Sequence, residues 1–117
     1  MATLSMRGSG SVSGVSQIVT DGILSSGISC ELVGRADRSF SDGTRATMLV
    51  FEKYFYRAGN RASISVMISG RDGNVSVDAV GAGGGTSVFF RFSWGAESSF
   101  VSTLEKILNN YGFSVRY

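Results

Sequence analysis

The stretch FEKYFYRAGNR, residues 51–61, holds the side chains of this sequence best suited to chemistry. Glu52, Tyr54 and Tyr56 alternate, so in a strand all three share a face. A carboxylate beside two phenols there could anchor a ligand or act as a general acid or base. The plainer role is a structural hydrogen bond from a tyrosine hydroxyl or an arginine to Glu52. Lys53, Arg57 and Arg61 stand among Phe51, Tyr54, Phe55 and Tyr56, a mixture that can stack bases and neutralise phosphates. The glycine spacing of the RNA-recognition motif is missing and the cations are few, so nucleic acid is not an expected partner. Their simpler use is to keep a hairpin soluble and its edges unpaired.

Other chemistries are excluded more firmly. The chain of 117 residues has no histidine, which removes histidine-based triads, imidazole metal sites and the usual neutral-pH proton shuttle. Its one cysteine, Cys30, cannot form an internal disulfide. Flanked by Ile28 and Leu32, it reads as a buried, inert thiol in a strand, suited to a reducing compartment. Ser63, Ser65, Ser69 and Ser76 have no base to activate them. The run GAGGGTS lacks the lysine of a P-loop and reads as a turn. Asp78 and Arg91 read as a surface ion pair on adjacent strands. No catalytic residue, cofactor or metal is therefore expected. The start MATLSMRGSGS lacks the apolar run of a signal peptide, and no stretch is long enough to span a bilayer, so the expected location is the cytoplasm and no membrane partner is expected. A formal charge of +2 is too small to imply a polyanion without clustering.

The elements that must position these residues follow from periodicity. Residues 2–8 read as a strand. Ser11 can cap a helix over about 11–25, in which Val12, Val15, Val19 and Ile23 recur at helical spacing. ISCELV (28–33) reads as a strand, and residues 36–43 as a polar loop ending in an Asp-Gly turn. A long strand follows over about 45–57. Ala58-Gly59-Asn60 turns it into RASISVMIS, where Ile64, Val66 and Ile68 alternate with polar positions. Arg71-Asp72-Gly73-Asn74 marks the next hairpin, and Val75, Val77 and Ala79 continue the alternation. VFFRFSW reads as one more strand. Phe100, Leu104, Ile107, Leu108 and Tyr111 then define a helix, with Gly112 placed to end it.

With 43% hydrophobic and 17% charged residues the composition is globular, and the length fits a single domain over 1–117. The predicted class is α+β: a single antiparallel sheet of five or six strands with two amphipathic helices on one face, in the order β-α-β-β-β-β-β-α, with room for a short C-terminal strand.

FEKYFYRAGNR, the glycine-rich run before SVFFRF, and WGAESSFVSTLEKIL together make residues 28–108 resemble a family of small bacterial domains of unknown function. The resemblance implies one domain and no particular activity. The N-terminal strand and the final FSVRY fall outside it.

Function then turns on one register. If Arg57 faces Arg61 across a three-residue loop, Tyr56 meets Ala62, Tyr54 meets Ile64 and Glu52 meets Val66. Glu52, Tyr54 and Tyr56 would then face the helices and line a pocket for a small molecule. Leu49, Phe51, Phe55, Met67 and Phe89 would lie on the uncovered side, too much apolar surface for a monomer. A loop longer or shorter by one residue would exchange the faces. The expected function is a non-enzymatic interaction module, with a homodimer or a protein partner on that side. The alternative is a small-molecule binding domain built on Glu52, Tyr54 and Tyr56.

Overall fold

The computed structural model describes residues 2–26, 30–55, 60–83 and 90–115. The elements are β1 (Ala2–Ser9), α1 (Val12–Leu24), β2 (Glu31–Ser39), β3 (Arg45–Phe55), β4 (Asn60–Arg71), β5 (Asn74–Gly83), α2 (Phe90–Asn109) and β6 (Ser114–Val115). The strands make one sheet in the order β2-β3-β4-β5-β1-β6, and every neighbouring pair is antiparallel. Both helices pack on the same face, α1 over β3 and β4, α2 over β4, β5 and β1. The α+β class with two helices on one face of an antiparallel sheet is thus observed.

Local chemistry accounts for the best-defined boundaries. Ser11 caps α1, its Oγ accepting from the Gly14 amide at 3.0 Å, which satisfies one of the unpaired N–H groups of the first turn. Val12, Val15, Val19 and Ile23 form its buried stripe. At the end of α2, Gly112 takes a positive φ of 84°, and the Phe113 amide donates to the Leu108 carbonyl at 3.1 Å. That is the glycine-dependent C-terminal cap read from the sequence. Asp72 and Gly73, with φ of 56° and 83°, make the two-residue turn joining β4 to β5, with Arg71 opposite Asn74.

Between sheet and helices lies one core. Leu49 and Phe51 of β3, Ile64, Val66 and Ile68 of β4, and Val75 and Val77 of β5 meet Val19, Ile23, Phe100, Leu104 and Leu108. Phe51, Phe100, Ile64 and Leu104 are completely or almost completely buried, so large side chains fill the space between the layers.

Three segments differ from their sequence reading. The polar residues after Leu32 continue β2 to Ser39 instead of forming a loop. A strand at the sheet edge is wet on much of its surface, so it needs a ladder partner more than an apolar period. VFFRFSW is not a strand where it is described: from Phe90 onward it is α2. The β preference of aromatic residues reports fit to a pleated surface and yields to tertiary context. The first residues of GAGGG, Gly81–Gly83, belong to β5, while residues 84–89 lie outside the described residues.

Candidate functional site

The β3–β4 hairpin sets what each face of the sheet displays. Phe51 pairs with Ile64, Leu49 with Val66 and Glu52 with Ser63. Relative to the register expected from a three-residue loop, the pairing is displaced by three residues, an odd number, so the faces of β3 are exchanged. The last pair is Phe55 with Asn60, and residues 56–59 between them lie outside the described residues.

Leu49 and Phe51, assigned by sequence to the uncovered side, are therefore core residues with no exposed surface. Glu52, expected beneath the helices, stands on the open side, where its Oε1 accepts from Arg61 Nη1 at 3.2 Å. Its side chain is 37% exposed and that of Arg61 68%. Burial decides this register: it places two large apolar side chains against Ile64 and Val66, whereas the alternative places a carboxylate there. The premise of a pocket beneath the helices, an inward Glu52, is thereby removed. Tyr54 pairs in the backbone ladder with Arg61, but the side chains of Tyr54 and Phe55, and Tyr56 and Phe89 entirely, lie outside the described residues.

The basic residues of the stretch are also divided by the sheet. Lys53 pairs with buried Ala62 on the helix side, while Arg61 projects from the open side. Arg57 lies outside the described residues. Lys53 instead lies close enough to Cys30 for its charge to lower the thiol pKa, against a larger upward push from burial. Cys30 is half-buried just before β2, not inside a strand, and its Sγ–H points to the Ile23 carbonyl at 3.8 Å. Asp78 accepts from Ser5 Oγ at 2.7 Å; the expected partner Arg91 belongs to α2.

Met67 keeps the place expected for it on the open face, and its true neighbours emerge from the register. Met48 sits opposite it on β3, Asp78 on β5, and Val50, Ser65 and Val80 form the next row. Met48, Met67 and Val80 are exposed, ringed by Ser5, Ser63, Ser69, Ser76 and Ala46. Sequence reasoning missed Met48 and Val80 because their face follows only from the correct pairing. The result is an apolar centre among small polar side chains, with Asp78 beside Met67 and Arg7, Arg38, Glu52 and Arg61 further out on the same face.

Three grooves lie elsewhere among the described residues. One, about 720 Å³, runs between α1 and α2 past Gln17, Asp21, Thr103, Lys106 and Tyr111. Two others, about 250 and 160 Å³, lie at the strand ends near Arg35 and Arg71. None of these three borders Glu52. Among the described residues no three carboxylate or thiol side chains gather as a metal-binding group. No described helix is long and apolar enough to cross a membrane.

Fold and site together define a small α+β module with one covered and one open sheet face. By its sequence the chain belongs to a family of unknown function, DUF6054, whose model matches residues 1–112. The match takes in β1 and α1, which the resemblance over 28–108 left out, while FSVRY stays beyond it. No curated protein matches the chain.

Proposed function

We propose that this protein is a non-enzymatic interaction module that self-associates through its open sheet face. The observation that carries this is the exposed pair Met48 and Met67 at the centre of a face whose nearest neighbours are mostly small side chains, with charged residues of both signs around them. Small side chains let a second sheet approach to ordinary packing distance, and methionines adapt to whatever they meet. Five strands about 4.8 Å apart and four residue rows about 6.8 Å apart offer roughly 650 Å² per copy. Two such faces bury roughly 1,300 Å², within the range of specific interfaces. A cytoplasmic location belongs to the same reading, since a single half-buried thiol suits a reducing compartment.

Sedimentation velocity over a concentration series tests it, with wild type beside Met67→Glu and circular dichroism to confirm folding. Self-association of wild type that weakens in Met67→Glu supports the reading. A wild type that stays monomeric into high micromolar concentration sinks it.

A further inference from the structure

The strand β2 ends the sheet, and among the described residues nothing pairs with its outer edge. It carries charges, which commonly keep an edge unpaired. Their order, however, is Arg35-Ala36-Asp37, which read backwards in a facing copy becomes Asp-Ala-Arg. We propose that β2 is a second interface, pairing antiparallel with the β2 of another copy about a two-fold axis at Ala36.

Geometry selects this register. A two-fold axis relating adjacent antiparallel strands is perpendicular to the sheet, and directly opposed residues must share a face, so the axis passes through a residue and not between two. Centring on Arg35, Asp37 or Arg38 sets that charge against its own copy, which is destabilising. Centring on Gly34 runs the pairing into the bulge between Leu32 and Gly34. Centring on Ala36 places Arg35 opposite Asp37 twice, on the helix side of the sheet. Within one chain these residues are already joined, Arg35 Nε and Nη2 donating to Asp37 at 2.9 and 3.2 Å, with Thr47 Oγ1 donating to the same carboxylate at 2.7 Å. Pairing the edges completes a ring of four alternating charges.

Apolar contacts agree with the charges. Val33 and Phe40 stand at opposite ends of β2, 48% and 50% exposed, although neither packs into the core. Counted from Ala36, the pairing sets Phe40 of each copy against Leu32 of the other, and Val33 against Ser39. Two sheets of six strands become one of twelve, with all four helices on one side and both open faces on the other. This inference stands on the edge alone and does not require the open-face contact.

Sedimentation velocity and native mass spectrometry on four forms separate the two: wild type, Met67→Glu, Arg35→Asp, and the swap Arg35→Asp with Asp37→Arg. Arg35→Asp sets Asp against Asp twice and is expected to weaken edge association roughly tenfold or more. The swap restores complementarity and is expected to recover it. Ala36→Cys in a Cys30→Ser background is expected to give a disulfide-linked dimer on mild oxidation, because self-paired residues on the axis lie within bridging distance. Association lost in Arg35→Asp, recovered in the swap and kept in Met67→Glu establishes the edge, and the open face then fails. Association lost only in Met67→Glu, with no disulfide-linked dimer of the Ala36→Cys variant, overturns the edge and leaves the open face standing. Monomeric wild type overturns both.

Discussion

Met48 and Met67 stand directly opposite each other across β3 and β4, 46% and 42% exposed, at the middle of the open sheet face. Neither touches the core, so the fold does not depend on their apolar character. Replacing both with serine is expected to change unfolding free energy by less than about 0.5 kcal/mol, as for other exposed sites. Self-association should fall. Urea denaturation monitored by circular dichroism, beside sedimentation, checks the two effects; a large loss of stability would show that these residues serve the monomer.

Gly8 lies beneath the ring of Phe113. A Cβ at Gly8 would stand 2.5 Å from Phe113 Cδ1 and 2.6 Å from Cγ and Cε1, and that ring is buried. An aromatic side chain covering a strand glycine is a known stabilising device, and here it ties β6 to β1. Gly8→Ala is expected to cost about 1–3 kcal/mol through overpacking, read from the urea midpoint. Combining it with Phe113→Leu should cost less than the sum of the two changes, because the clash is then relieved.

Burial pushes the Cys30 thiol pKa up, and the positive charge of Lys53 offsets part of the rise. The thiol should therefore react with iodoacetamide more slowly in the folded protein than in urea at the same mildly alkaline pH. Lys53→Met removes the offset and should slow the folded reaction further. Because the folded pKa is the higher one, the stability linked to the neutral thiol is complete below the unfolded pKa and is lost as pH rises through the folded one. Equal rates in folded and unfolded protein would contradict this environment.

Asp37 is held below the usual carboxylate range, first by its hydrogen bond from Arg35 and then by that from Thr47. A depressed folded pKa contributes stability above the unfolded value, about 3.9, that is lost as pH falls through the folded value. Asp37→Asn should accordingly be slightly less stable than wild type at neutral pH, with the difference fading in acid. The side chain is 55% exposed, so the effect should be small and weaken with salt. Urea midpoints measured from neutral pH into acid, at low and high salt, check both statements.

The two hairpins show how far the sequence could be read. Asp72-Gly73 demands positive φ at two positions, which those residues accept locally, so the turn and the β4–β5 register are legible without the rest of the chain. Residues 56–60 carry no comparable signal. A three-residue loop with Arg57 facing Arg61 satisfies every local preference there, yet it exchanges the faces of β3. The helix caps were legible for the same reason as the second turn: Ser11 and Gly112 act within a few residues of themselves. The helical start at Phe90 was not, because β-branched and aromatic residues take the structure their surroundings favour.

By itself the sequence determined the stripe of α1, the buried faces of β4 and β5, and the absence of histidine chemistry. Each of these depends on residue type or on a period visible along a few turns or pleats. Only the tertiary structure decided whether Glu52 or Phe51 is buried. Strand period is two, so a shift of an odd number of residues leaves every local preference intact while exchanging the faces. Apolar burial across the sheet, of Leu49 on Val66 and Phe51 on Ile64, breaks that tie, and it exists only once the helices are in place.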